Sequence, residues 1–278
     1  MKLIHSQNIL DGSLFRQMPV GTIKELFIRY SGTNQSGKAV TLAGLGRVRF
    51  NHKGTDVHNT SVELLSNVNN LKGGVAEFSS ATGGAFAASV VLPFHAFWDE
   101  QSGLFCDVNT SYVQLDFSSA LSDVFSGTVE VYAIMATRTA SYFYQLIQRN
   151  IQAGGAGTVT QPIEISNISE LYFKEDAAVS QILVMVDRDV KNGSQVALKA
   201  YSNAKNRVES PISVYEVNLN PFNAIRSDLN REVAIQITTS AAVNVNILSA
   251  SIAFASPQDI QRSIEVQKLP IAAAEDQA

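Results

Sequence analysis

The chain has 278 residues, 45% hydrophobic and 17% charged, which supplies one large or two ordinary cores and excludes a disordered polymer. A net charge of −4, with no local cluster of Lys and Arg, excludes the basic field that direct nucleic-acid binding needs. The single cysteine, Cys106, excludes an intrachain disulfide and a zinc cluster of several cysteines; it reads as a small buried hydrophobe.

Met1 to Gln7 lacks the apolar core of a secretion signal, and no run of about 20 apolar residues follows, so a soluble chain made in the cytoplasm is expected. Strand signals then dominate. Val48 and Phe50 alternate with Arg47, Arg49 and Asn51, and Val113, Leu115 and Phe117 alternate with Gln114 and Asp116. Val129, Val131 and Ala133 share one face, as do Val196, Leu198 and Ala200. Ile182 to Val186 is apolar throughout, the pattern of a strand buried on both faces. Val233, Ile235 and Ile237, then Val243, Val245 and Ile247 set against Asn244 and Asn246, give the clearest period of two.

Helical spacing occurs three times. Leu64, Val68 and Leu71 form one short stripe, stopped by Gly73 and Gly74. Phe143, Leu146, Ile147 and Ile151 suggest a second helix from about Ser141 to Gln152. Ser256-Pro257-Gln258-Asp259 reads as an N-cap, a proline in the first turn and an acid at the capping-box position. These helices are too scattered to alternate with strands as an α/β fold requires.

The stretch from Ala153 to Thr158 is the best linker, and the flanks repeat each other. Ile23-Lys24-Glu25-Leu26-Phe27-Ile28-Arg29 matches Ile168-Ser169-Glu170-Leu171-Tyr172-Phe173-Lys174. Pro93-Phe94 matches Pro221-Phe222, and the strand from Val113 to Ser119 matches that from Val233 to Thr239. Three matches in the same order predict a duplication, with longer loops in the first copy. The expected division is 1–152 for a first sandwich with an N-terminal arm and a connecting helix, 153–158 for the linker, 159–256 for a second sandwich, and 257–278 for a tail.

This organisation resembles the double jelly-roll major capsid proteins of lipid-containing icosahedral bacteriophages, of the corticovirus, tectivirus and flavobacterial lipid phage type. Pro19-Val20-Gly21, followed by Ile23 to Gly32, is similar to the first strand of the corticovirus-type protein. The resemblance covers about residues 15–256. It implies an all-β fold of two tandem jelly rolls and a structural virion component without catalytic residues, cofactor or bound metal. It further implies homotrimers that tile a shell over an internal membrane. Neighbouring capsomers, penton and membrane-associated virion proteins would be the partners, with at most peripheral contact to lipid and none to nucleic acid. Both chain ends, 1–14 and 257–278, would then be arms reaching other subunits. The alternative is a carbohydrate- or receptor-binding β-sandwich such as a phage spike, against which a single tryptophan argues.

His5 and His95 stand apart from the other histidines, and His52 and His58, separated by Gly54 and Asp56, read as loop histidines without the clustered His and Glu of a metal site. Asp187 to Gly193 lacks the glycine and glutamate positions of a calcium loop, and Asn192-Gly193 reads as a hairpin turn. Gly44-Leu45-Gly46 precedes a strand, so it offers no helix N-terminus to a phosphate, and Gly83-Gly84 and Gly154-Gly155 lack a phosphate-binding lysine. Asp99-Glu100 reads as a solvated pair. No Ser, His and Asp carry a local hydrolase signature. Trp98 and Phe105 are candidates for contact with a sugar or a neighbouring subunit.

Overall fold

The computed structural model describes residues 1–9, 12–72, 76–95, 101–117, 121–140, 142–163, 168–174, 176–186, 189–194, 200, 204, 212–216 and 233–267. Extended backbone accounts for most of them, as the period-two patterns require.

The first half is built from β1 (Lys2–Asn8), β2 (Ser13–Gln17), β3 (Gly21–Asn34), β4 (Arg47–His52), β5 (Thr55–Ser61), β6 (Phe78–Ser80), β7 (Ala85–Pro93), β8 (Ser102–Cys106), β9 (Ser111–Asp116) and β10 (Phe125–Met135). One sheet runs β1-β10-β3-β7-β6, and β8 adds to β3. The facing strands run β2-β9-β4-β5. Helix α1 (Val62–Leu71) is inserted after β5 and starts where Ser61 Oγ accepts from the Leu64 N–H at 3.2 Å.

The second half has β12 (Tyr142–Ala153), β13 (Gly157–Ile163), β14 (Ile168–Lys174), β15 (Val179–Val186), β16 (Asp189–Ser194), β17 (Ile212–Glu216), β18 (Val233–Thr239) and β19 (Val243–Phe254), preceded by the two-residue β11 (Arg138–Thr139). Its sheets run β12-β19-β14-β17 and β13-β18-β15-β16. Setting aside β6, β8 and β11, both halves follow one rule. The first, eighth, third and sixth strands make one sheet, and the second, seventh, fourth and fifth make the other, which is the eight-strand jelly roll.

The repeat read from sequence therefore has a strand-level meaning. Ile23 to Arg29 and Ile168 to Lys174 lie in the third strands, β3 and β14, and Val113 and Val233 begin the matched runs in the seventh, β9 and β18. The Pro221-Phe222 counterpart of Pro93-Phe94 lies outside the described residues, as do Val196 and Leu198; Ala200 is helical, not extended.

Several expectations are corrected. Residues 142–153 form strand β12, not a connecting helix, and pair with β19 from Tyr142↔Phe254 to Ala153↔Val243. Apolar residues fall on both faces of this strand, which erases the alternation and imitates helical spacing. The segment from Ala153 to Thr158 consequently joins two strands of the second sandwich, β12 and β13. The described residues of 1–14 do not form an arm. β1 pairs with β10 along its length and Ile9 is buried, so the Pro19–Gly32 segment contains the third strand and not the first. The β15–β16 hairpin closes at Val186↔Asp189, which places Asn192 and Gly193 within β16 opposite Leu183 and Ile182. On β15, Ile182 and Val184 are buried but Leu183 is only half-buried, so that strand is not covered equally on its two faces.

One core runs through the first sandwich, with Leu26, Ile28, Val48, Phe50, Val129 and Val131 at its centre. A smaller one, with Leu171, Phe173, Val184, Ile235 and Ile247, fills the second. Gly46 sits where the chain enters β4. Its φ of 84° is left-handed, and a Cβ there would fall 2.0 Å from the Asp116 carbonyl oxygen, so only glycine fits. Because β1 supplies a sheet position and not an arm, removing residues 1–9 is expected to lower the thermal midpoint by several degrees; an unchanged midpoint in calorimetry would show β1 to be dispensable.

Candidate functional site

Two polar constellations stand out from the apolar interior: the seam between the sandwiches, and the seat of helix α2 (Pro257–Gln267).

The seam begins as a continuation of one sheet. β5 pairs with β12 in parallel at Leu146↔His58 and Ile147↔Asn59, so the strands of both sandwiches join into one eight-stranded sheet, β17-β14-β19-β12-β5-β4-β9-β2. On β14 and β19, Leu171, Phe173, Val245 and Ile247 enter the second core, while Tyr172, Leu248 and Ala250 enter the first. The sheet is dry on both faces at this point.

Helix α1 crosses that outer face. Lys174 Nζ meets Glu63 Oε2 at 2.8 Å near the start of the helix, and Lys72 pairs with Glu170 at its end, so α1 runs antiparallel to β14. Between these pairs the Lys72 ammonium lies 5.9 Å from the centroid of the Tyr172 ring. Tyr172 donates its hydroxyl to Glu170 Oε2 at 2.6 Å, and the Tyr144 hydroxyl lies 3.4 Å from both. Burial, reinforced by the Glu170 charge, raises both phenols well above their ordinary value, so they remain donors. Gln148 accepts from the Ser61 N–H at 2.7 Å and donates to Asn246 at 3.0 Å, tying β5, β12 and β19 together.

His58 is the seam's titratable hinge pin. It is fully buried, packed 4.9 Å from the Phe94 ring, and its Nδ1 accepts the Leu146 N–H at 3.1 Å. A ring nitrogen that accepts carries no proton, so His58 is the neutral Nε2–H tautomer. Burial holds its pKa down to about 3, against a weaker opposing pull from the Pro93 backbone.

At the second constellation, His52 Nδ1 lies 2.7 Å from Ser111 Oγ and its Nε2 lies 3.5 Å from Asp259 Oδ2. Lys53 pairs with the other Asp259 oxygen, and Ser256 Oγ donates to Oδ2 at 2.8 Å while accepting from the Asp259 N–H at 3.2 Å. Burial pushes the Asp259 carboxyl up, but the Lys53 and Ser256 bonds and the charges of Lys53 and His52 together hold it below the usual range. Burial lowers His52 despite Asp259, so Lys53 is the principal counter-charge at neutral pH. Ser111, His52 and Asp259 thus form a Ser-His-Asp chain that sequence spacing did not disclose. It does not offer a nucleophile: Ser111 is buried, and only His52 and Asp259 line the adjoining open pocket of about 270 Å³. The chain fastens α2 to β4, so residues 257–267 dock on their own subunit instead of extending from it as an arm.

The remaining singled-out residues fall into place. His52 and His58 are strand residues and not loop residues, because the β4–β5 hairpin turns at Lys53 and Gly54 between them. His5 bonds Gln7 at 3.0 Å. Cys106 is buried, and burial pushes its thiol up to about 12, far from a reactive thiolate. Phe105 is core and so contacts neither sugar nor neighbour; Trp98, Asp99 and Glu100 lie outside the described residues. Among the described residues, no three His, Cys, Asp or Glu side chains gather as metal ligands. Among them too, no helix is long and apolar enough to cross a membrane.

This architecture of two jelly rolls sharing a sheet defines the chain as a double jelly-roll protein. The chain is similar to the major capsid protein P2 of bacteriophage PM2, with a TM-score of 0.64 at 13% identity, over 92% of this chain and 96% of that one. It is similar to VP54 of PBCV-1, with a TM-score of 0.57 at 10% identity over 90% and 92%. The Faustovirus major capsid protein gives a TM-score of 0.55 at 7% identity over 90% of each chain. No protein-family model and no curated protein matches the sequence.

Two outcomes follow from the seam chemistry. Glu170→Ala leaves two buried phenols and Lys72 without their acceptor and is expected to cost about 2–3 kcal/mol, whereas Glu63→Ala at the more exposed pair costs less than about 1 kcal/mol; equal losses in chemical denaturation would contradict the ranking. His58 has a folded pKa below its unfolded value, so the unfolded chain binds the extra proton between about pH 6.5 and pH 3, and stability falls as pH falls through that window. Acidification from pH 7 to pH 5 should remove about 2 kcal/mol through this group. His58→Asn, which keeps an acceptor for the Leu146 N–H, should flatten that part of the profile; an unaltered slope would assign the acid lability elsewhere.

Proposed function

We propose that this protein is a viral major capsid protein, a structural subunit that self-assembles into a shell and carries out no catalysis. The observation that carries the reading is the shared, doubly buried sheet, which makes two jelly rolls one rigid block, together with likeness over nearly the full length to capsid proteins that have the same architecture. A shell of many copies needs a tile whose shape does not vary, and a jelly roll hides most of its backbone edges within closed sandwiches. We take β1–β10 as one domain and β12–β19 as the other, with the crossing just ahead of β12 and α2 belonging to the first domain that it packs on.

Three such chains present six similar barrels, so a trimer can occupy a six-cornered position in an icosahedral lattice. We extend the reading to such trimers tiled over an internal membrane, with contacts to other capsomers, to penton and membrane-associated virion proteins, and at most peripherally to lipid. A low charged fraction of 17% supports it, because neutral polar flanks are desolvated more cheaply where identical surfaces meet.

Light scattering on the purified protein is expected to report about 90 kDa, three times the 30.1 kDa chain, as a closed cyclic oligomer. Negative-stain images should show pseudo-hexagonal particles. A monomer at every salt and calcium concentration, with no assembly, would overturn the proposal.

A further inference from the structure

Helix α2 is seated by charge and not by apolar burial. It turns Asp259 and Ser263 inward, both buried, while Ile260 and Val266 are half-buried and Ile264 is 41% exposed. A helix docked by an apolar stripe shows the reverse order. Ser263 donates its hydroxyl to the Ile260 carbonyl of its own helix at 2.7 Å, so that bond does not tie α2 down.

What ties it down is a set of ion pairs of both polarities. Asp259 takes Lys53 and His52 at the end of β4, and Arg262 reaches Asp107, just past β8, at 3.5 Å. Lys53 is 39% exposed and Arg262 is 55% exposed, so water and salt reach both anchors. The pocket of about 270 Å³ opens beside the first turn, with Lys53, Thr55, Gln145 and Asp259 in its wall.

Asp259 also closes the capping box with Ser256, so one side chain both starts the helix and fastens it. With 11 residues, α2 is too short to persist alone in water, so leaving the seat means unwinding. Each jelly roll has its eight strands without α2, so neither has to open when the helix does. Beneath α2 the structure is sealed. The helix lies against β8 and β3, and all five residues of β8 are buried. Cys106, at the end of β8, lies close enough to Ser111 to bond it and to Asp259 to feel its charge.

We propose that α2 is a salt-sensitive strap over the ends of β4 and β8, which unwinds locally while both jelly rolls stay folded and so uncovers Cys106. Opening of this kind lies below the free energy of global unfolding and is governed by the ion pairs at the seat. The inference needs only one chain and stands apart from the capsid reading.

The test uses the full chain and its single thiol. Labelling of Cys106 by N-ethylmaleimide, an uncharged reagent, is followed at fixed pH and divided by the rate for the urea-unfolded chain in the same salt. Raising NaCl from 0.1 M to 1 M shortens the screening length from about 10 Å to about 3 Å and is expected to speed labelling about threefold. Asp259→Asn, which keeps the cap but removes the charge, is expected to speed it about tenfold, and Arg262→Gln about threefold. Arg262 is exposed, so that variant keeps its core and its thermal midpoint near the wild type. Hydrogen exchange on the wild type needs no variant: α2 amides are expected to exchange faster than those of β4 and to gain further in 1 M NaCl. Labelling that ignores salt and both substitutions, or α2 amides that exchange in step with β4, would overturn the strap.

Discussion

The structure depends on one sheet being dry on both sides. In β19 and β14 alternate residues feed two different cores, and β12 gives Tyr144 and Leu146 to the first and Ile151 to the second, so the strands that complete the second sandwich also complete the packing of the first. A sheet in that position cannot separate from either partner without exposing an apolar face, at roughly 25 cal/mol for each Å² uncovered. The two jelly rolls are therefore not beads on a linker. Polar groups trapped at the seam are paired with one another: Glu170 takes Tyr172 and Lys72, Gln148 bridges β5 and β19, and His58, held neutral by burial, accepts the Leu146 N–H. Polar groups paired in this way fix one orientation where a purely apolar contact would tolerate sliding.

From that constraint the rest of the molecule follows. The chain that precedes β12 has to arrive beside β5, which places α1 over β14 and His58 at the crossing. The chain that leaves β19 returns over β4, where Ser256 and Asp259 fasten α2 through Lys53 and His52. The Ser111-His52-Asp259 chain shows why geometry must be read with burial. The same residue types that make a hydrolase here make a clasp, because the serine faces the interior and the carboxylate is occupied by a lysine.

Much of the fold was legible in the sequence. Stretches with one wetter face, such as Val129-Val131-Ala133 and the Val243-Val245-Ile247 start of β19 before it enters the dry seam, declare themselves by period two. The duplication is legible in the internal match of Ile23–Arg29 to Ile168–Lys174, which occupy the third strand of each sandwich. The strand from Tyr142 to Ala153 was not legible for the reason that makes it central: with apolar neighbours on both faces, its pattern loses the alternation and takes on helical spacing. β1 was not legible because Lys2 to Asn8 is of mixed composition and none of its residues is fully buried. At the seam, Glu170 and Lys174 were visible as charges within a strand, but their partners lie about a hundred residues earlier, on a helix that no spacing rule connects to them. The seat of α2 combined a legible cap at Ser256 with illegible partners on β4.

The shared sheet makes the two sandwiches one cooperative block. Hydrogen exchange on the full chain tests this most directly. The amides of β12, β14 and β19 are expected to exchange together with those of β4 and β5, in one slow class. A second sandwich that exchanges as a separate, faster class while the first stays protected would contradict it.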